Sequence, residues 1–301
     1  MSLMVVGSVA FDSIRTPYGE AEEILGGSAT YFSVAASWFA PVRVVAVVGE
    51  DFQDRHLGVF RERGIDISGL ERVSGRTFRW RGEYLNDMSE ARTLETQLNV
   101  FEQFQPKIPE THASSEFLFL GNIHPELQLH VRRQLSGARL VAADSMNFWI
   151  TKTPRELAQT LKEVDALIIN EGEAKMLSGL ENLCKAARAI QAMGPRKLVV
   201  KRGEHGVTFF NDGSVFSSPA YLLDEFKDPT GAGDTFAGGF MGHLARSKDL
   251  SDANLRGAVV YGSVMASFAV EDFGLQRLLN LSVEEIETRV REFTRLTHFD
   301  V

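Results

Sequence analysis

The sequence predicts an α/β protein: a doubly wound, mostly parallel sheet flanked by helices, with a small β lid inserted into it. Three observations predict this. Short apolar, β-branched runs alternate with helical segments along most of the chain, and strand–helix–strand repeats at that spacing build parallel βαβ units. The rhythm breaks once, at 75–104, where Thr, Phe, Trp, Tyr, Leu and Val alternate in part around Asn86-Asp87, the pattern of an antiparallel hairpin. Glycine-rich polar clusters follow the carboxyl ends of the runs, where open α/β sheets hold their ligands.

Taken in order, residues 3–9 read as a short buried strand and 13–23 as a polar stretch containing Pro17 and Gly19. Gly26-Gly27 open a small-residue helix, 28–39, which Pro41 ends. A second buried strand covers 42–48, and a helix over 52–63 stops at Gly64. Residues 77–85 and 91–100 are the two lid strands; the alternative is an edge extension of the main sheet. The α/β order resumes with strand 116–120, helix 126–135, strand 139–143 and helix 154–163, whose first turn holds Pro154. Strand 166–169, helix 172–177 and helix 183–193 follow, the last ended by Gly194-Pro195. Strand 197–201 leads to a hairpin, 207–210 with 215–217, around Asp212-Gly213. The remaining helices are 235–247, 252–270 and 282–294, the last with a capping box from Ser282 to Glu285. No repeat or linker divides the chain, so 1–301 reads as one domain with the lid at 75–104, to which 13–23 can add.

The chain has 301 residues, 44% hydrophobic and 24% charged, enough for a sizeable core. Its net charge of −8 argues against a nucleic-acid partner, which needs a basic stripe. A single cysteine, Cys184, excludes an internal disulfide and a multi-cysteine zinc site and suits a reducing cytosol. No apolar run reaches the length of a membrane span. The start, Met1-Ser2-Leu3-Met4-Val5-Val6, has no basic n-region, so no signal peptide is expected. A cytoplasmic protein without a membrane partner is the expectation.

The chemistry concentrates in Asp228-Pro229-Thr230-Gly231-Ala232-Gly233-Asp234-Thr235-Phe236. Pro229 stiffens the approach, and Gly231 and Gly233 let backbone N–H groups turn toward one point without Cβ obstruction. The helix that follows offers unpaired N–H groups and a positive dipole end, which is an anion site. Asp234 beside such a site suggests a base acting on a hydroxyl that will receive phosphate; the plain alternative is an Asp-capped helix start. Asn170-Glu171-Gly172-Glu173 follows the strand 166–169, and an amide with a carboxylate suits Mg²⁺ through waters, or an N-cap. Lys201-Arg202-Gly203-Glu204-His205-Gly206 puts two glycines beside a basic pair, fit for a phosphate or for a hairpin turn. Asp12 and Gly26-Gly27 lie near the first strand's carboxyl end, where a carboxylate can accept two hydroxyls of a polyol, or merely shape a turn. There is no Walker-type loop and no dinucleotide fingerprint. Asp272-Phe273-Gly274 has no H-R-D loop before it and is read as chance.

Extended to Ala237-Gly238-Gly239-Phe240, the glycine stretch resembles the C-terminal signature of the PfkB carbohydrate kinases, the ribokinase-like family. The other motifs follow in that family's order along nearly the whole chain. The resemblance implies a ribokinase-like fold and an ATP-dependent kinase acting on a sugar or nucleoside alcohol. It implies that Asp234 takes the acceptor proton while the N–H groups of Gly231, Ala232 and Gly233 hold the charge on the transferred phosphoryl group. Asn170 and Glu173 would orient Mg²⁺ through its water shell; Asp228 and Thr230 match a monovalent-cation position, for K⁺. Lys201, Gly203, Gly206 and Thr230 would face the nucleotide, with Ser267 and Gly274 at the purine. Asp12, Gly26 and Gly27 would face the acceptor, and the hairpin would close over it.

One departure bears on the substrate. Sugar-specific relatives carry an Asn near the first turn of the Gly-Gly helix, and here that position is Tyr31. A larger, flatter acceptor such as a nucleoside, stacking on Tyr31 or Phe32, becomes the alternative to a simple sugar. Asn122 and Glu126 in Asn122-Ile123-His124-Pro125-Glu126 could add polar groups to the pocket, or form a strand-to-helix turn with Pro125 first in the helix. A catalytically silent nucleotide- or sugar-binding regulator would need the turn but not Asp234. An apolar lid face would favour a homodimer through paired hairpins; Arg76, Arg79 and Arg81 charge it and favour a monomer.

Overall fold

Leu3–Val6 (β1) is wholly buried, and its side chains alternate between two cores: Leu3 and Val5 face one, Met4 and Val6 the other. A strand can be apolar on both faces only where helices cover both sides of its sheet. The computed structural model, which describes residues 2–85, 88, 91–135 and 137–298, has that architecture. The other strands are Ala10–Thr16 (β2), Gly19–Gly26 (β3), Val42–Val48 (β4), Asp66–Arg72 (β5), Phe78–Tyr84 (β6), Ala91–Gln97 (β7) and Phe117–Leu120 (β8). They continue with Leu140–Ala143 (β9), Ala166–Asn170 (β10), Lys197–Lys201 (β11), Val207–Asn211 (β12) and Ser214–Ser218 (β13).

Nine strands form the main sheet in the order β13-β12-β11-β10-β9-β8-β1-β4-β5. From β11 to β5 every pairing is parallel; β12 and β13 close one edge antiparallel. The chain leaves β1 toward β4 on one side and later returns to β8 on the other. β1 and β8 therefore flank the switch point, and the crevice beyond their carboxyl ends is the place for a ligand. Helices Ser28–Ala36, Ala232–Ser247 and Asp252–Ala269 contribute to one core, and Pro125–Gln134, Pro154–Leu161 and Leu183–Gln191 to the other.

The lid is a separate four-stranded sheet, β3-β2-β6-β7, and not an edge extension of the main sheet. The stretch 13–23 lies within β2 and β3, which pair antiparallel, while β2 runs parallel to β6. Asp51, just beyond β4, ties the lid's base to the main sheet by accepting from the Thr77 N–H (2.8 Å) and the Arg79 guanidinium (2.8 Å). Arg79 and Arg81 also pair with Glu23 and Glu22 on β3, so their charge is partnered within the lid. The turn expected at Asn86-Asp87 lies outside the described residues.

The sequence pattern misses β2, β3 and β5, and the short helices Asn147–Lys152 and Gln276–Leu279. β3 is largely exposed and its polar Gly-Glu-Ala-Glu-Glu core carries no apolar alternation; only its pairing with β2 makes it a strand. β5 is a polar edge strand, interrupted by Gly69.

Helix Ala232–Ser247 carries three interior glycines where alanine would favour the helix by about 1 kcal/mol each. A Cβ at Gly238 would overlap the Phe32 carbonyl; one at Gly239 would lie 2.9 Å from the Tyr261 carbonyl oxygen, and one at Gly242 3.1 Å from the Ala36 Cα. The close partners are thus the backbones of helices Ser28–Ala36 and Asp252–Ala269, rather than the sheet or a ligand. Gly238→Ala is expected to destabilise the protein by about 1–3 kcal/mol in urea unfolding, because the clash outweighs the helix propensity gained. A neutral or stabilising result would contradict this backbone contact.

Candidate active site

The site is built where β1 ends. Gly7-Ser8 carry the chain toward β2, and Ser8 and Ser28 lock reciprocally: the Ser8 N–H donates to Ser28 Oγ (3.1 Å) and the Ser28 N–H to Ser8 Oγ (3.0 Å). This seats the start of helix Ser28–Ala36. Gly27 has φ +93°, and a Cβ there would lie 2.6 Å from the Ser8 carbonyl oxygen. A Cβ on Gly26 would overlap the Asp12 carboxylate. The paired glycines thus make room for Asp12, which is buried with the Gly27 N–H as a hydrogen-bond partner. Burial, and then the charge of Asp228, push its carboxyl up to about 7.

The second wall is the turn before helix Ala232–Ser247. Gly231 caps this helix with φ +74°, and the Tyr31 ring fills the space a Cβ would need. The Ala232 N–H donates to the Pro229 carbonyl (3.2 Å) and closes the turn, so it is engaged within the turn itself. Lys201, at the end of β11, reaches the same turn: a Cβ on Gly233 would lie 2.7 Å from Lys201 Nζ. Asp234 sits in the first turn of the helix, within the field of that ammonium. Burial, then Asp144, push its carboxyl up to about 7, with Lys201 opposing. Burial alone would lower the Lys201 pKa, but Asp144, Glu173 and Asp234 hold it above its usual value, so it stays charged at neutral pH.

Asp144 belongs to no motif, and sequence reasoning missed it. It follows β9, where its N–H donates to the Leu120 carbonyl (2.9 Å) and its own carbonyl accepts from Gln128 Nε2 (2.9 Å). Burial raises its pKa while Lys201 pulls it down. The available signal was position: an aspartate immediately after a strand's carboxyl end, as with the other site residues.

Asn170 and Glu173 form a reciprocal capping box, each side chain bonding the other's N–H at 2.8 Å. Asn170 lies beside Lys201 across the β10–β11 ladder, and Glu173 is among the charges acting on Lys201 and Asp234. The cap and the charged centre are therefore the same residues. Gly203 has φ +56°, and none of the described residues lies within 4 Å of a Cβ there, whereas a Cβ on Gly206 would overlap the Ser218 carbonyl, so Gly206 shapes the hairpin instead. Asp228 is fully buried; its two carboxylate oxygens accept from the N–H groups of Thr230 (2.9 Å) and Gly274 (3.4 Å).

A model of the pfkB family carbohydrate kinases matches residues 1–280. The chain belongs to this family. It is 31% identical over 258 residues to a cytidine kinase of Thermococcus kodakarensis, covering 84% of this chain and 91% of that protein. Its fold is that of a Methanocaldococcus jannaschii nucleoside kinase of the ribokinase family (TM-score 0.78, 20% identity, 97% and 98% of the two chains). The same holds for a Salmonella enterica aminoimidazole riboside kinase, solved with aminoimidazole riboside and an ATP analogue (TM-score 0.77, 17% identity, 96% and 100%). Among the described residues no helix is long and apolar enough to cross a membrane.

In this pfkB-family chain several expected residues have other surroundings. Tyr31 is 1% exposed with its ring against Gly231, so it is not presented for stacking on an acceptor; its hydroxyl is buried with no partner among the described residues. Phe32 is likewise buried, stacked on Phe119. Ser267 is enclosed: its hydroxyl donates to the Val264 carbonyl (2.7 Å) and accepts from Arg289 (3.0 Å), which packs over Phe268. Gly274 meets the lid at Ile24 and the Asp228 carboxylate, rather than an open purine pocket. Asn122 is held by Trp149, whose indole N–H donates to its side-chain oxygen (2.8 Å), and by Met146; Glu126 is exposed in the first turn of its helix.

A carboxyl whose folded pKa is raised lowers stability as pH rises from its unfolded value, near 3.8, through about 7. Asp12→Asn is therefore expected to raise the melting temperature, and to do so more at about pH 8 than at about pH 5. A pH-independent difference in thermal unfolding would show that Asp12 is not such a buried acid.

Proposed function

We propose that the protein transfers the γ-phosphoryl group of ATP to an alcohol of a nucleoside, with Asp234 as base and the N–H groups at the 231–233 turn, above all those of Gly231 and Gly233, receiving the developing charge. The observation that carries this reading is the meeting of Asp234, a helix N-terminus and the Lys201 ammonium at one glycine turn. Phosphoryl transfer asks a protein mainly for positioning and for positive potential around the moving group. A helix dipole and a buried-side lysine supply that potential, and a carboxylate raised to about 7 is a better base than an ordinary aspartate.

The acceptor end follows from Asp12, a buried carboxylate able to take two vicinal hydroxyls, with the Gly26-Gly27 backbone close beside it. A nucleoside is preferred over a simple sugar because the 31%-identical relative is a cytidine kinase. The first acceptors to test are therefore cytidine and other ribonucleosides, with ribose as the control.

Asn170 and Glu173 would hold Mg²⁺ through its waters. An ion held in this way is bound mostly by phosphate and water oxygens. When bound, Mg²⁺ would neutralise phosphate charge. Lys201 would lie along the phosphates, Gly203 would allow the nucleotide close to the backbone, and the lid would exclude water. Asp228 and Thr230 remain the residues proposed for K⁺, read out as a K⁺ dependence of the rate.

Asp234→Asn is expected to lower kcat by about 10²–10⁴-fold while the ATP dissociation constant changes less than about twofold. In the wild type, kcat/KM should rise with pH through about 7 and level off above, because the base must be deprotonated. ADP release measured across an acceptor panel tests both; a variant retaining most of its rate would remove Asp234 from the role, and no turnover with any acceptor would favour a silent binding protein.

A further inference from the structure

The lid touches the glycine turn through Tyr84. Tyr84 ends β6, and its hydroxyl accepts a hydrogen bond from Thr230 Oγ1 at 3.2 Å. The Thr230 N–H is bonded in turn to Asp228, so this hydroxyl pair reaches the backbone that runs into Gly231 and Gly233. Two other contacts bring the lid's first hairpin onto the same loops. The Tyr18 ring lies 5.8 Å from that of Phe226, and Ile24 Cδ1 lies 2.8 Å from where a Gly274 Cβ would be. Asp228, two residues after Phe226, accepts from the Gly274 N–H and so ties the two loops together. Burial first, and also the charges of Asp228 and Asp12, push the Tyr84 phenol up to about 12, so it stays a neutral hydroxyl at physiological pH.

We propose that Tyr84 is a positioning residue that registers the closed lid on the phosphoryl-binding turn, so that the acceptor over Asp12 and the phosphoryl group at Gly231 and Gly233 reach their reacting geometry together. This rests on the phosphotransferase reading above. The phenol ring alone would fill the same space under the lid; the hydroxyl is what joins β6 to Thr230. Closure then stiffens the turn, and the turn in turn holds the lid. A bond of this kind acts on the geometry of transfer more than on the binding of ATP.

Tyr84→Phe keeps the ring and removes the bond from one side; Thr230→Val removes it from the other at nearly constant volume. Each is expected to lower kcat by about fivefold to tenfold, the scale of one hydrogen bond, and in Tyr84→Phe the KM for ATP should stay within about twofold. The double variant should be no slower than the slower single one, and Thr230→Ser should restore the rate to within about twofold. In the protein without ligands, backbone amides of β6 should exchange faster in Tyr84→Phe than in the wild type. Losses that multiply in the double variant, or unchanged exchange in β6, would overturn the proposal. Exchange is read without ATP or acceptor, so an inactive wild type would refute the phosphotransferase reading while the exchange result still decides whether Tyr84 holds the lid.

Discussion

Gly238 has no side chain, and the Phe32 carbonyl occupies the space one would need. Through this contact two helices meet backbone to backbone, and much of the site depends on it. Helix Ser28–Ala36 begins at Gly27, beside Asp12; helix Ala232–Ser247 begins at Gly231, beside Asp234. Packing them this closely fixes the spacing between Asp12 and Asp234. The Tyr31 ring, pressed against Gly231, adds a second tie between the same helices. Protein interiors transmit such constraints because they are close-packed and have few low-cost alternatives.

The second constraint is electrical. Asp12, Asp144, Asp228 and Asp234 gather beyond the carboxyl ends of the strands, and burial raises the pKa of each. Lys201 is the cation set among Asp144, Asp234 and Glu173. The helix N-terminus opposes the same negative charge at Asp234. Such crowding is costly to a resting fold and is common at sites that must steer protons and phosphates. Asp144 bears on the site through Lys201 and Asp234, whose pKa values its charge raises, and no local motif announces it.

Parallel strands were easy to read: β4 falls at 42–48 as expected, because a strand buried on both faces must be a short apolar run. The glycine turn, the Asn170–Glu173 box and the Asp12 glycines were also legible, since each depends on residue types at fixed local spacing. β3 and β5 were not, since their polar sequences become strands only by pairing with β2 and β4. Tyr31, Ser267 and Gly274 were placed by analogy of position. Their surroundings are Gly231, Arg289 and Ile24, neighbours distant in sequence that no local pattern encodes.

The sequence by itself determined the α/β order, the family and the residues able to carry the chemistry, because hydrophobic period, turn glycines and helix starts are local consequences of the chain. The tertiary structure alone decided that Lys201 lies against Gly233, that Asp144 joins Asp234, that Tyr31 is sealed beneath the turn and that Tyr84 reaches Thr230. Those relations join segments far apart in the chain. They depend on strand order, on close helix packing and on how the lid sheet folds back, which are properties of the packed molecule and of no segment taken alone.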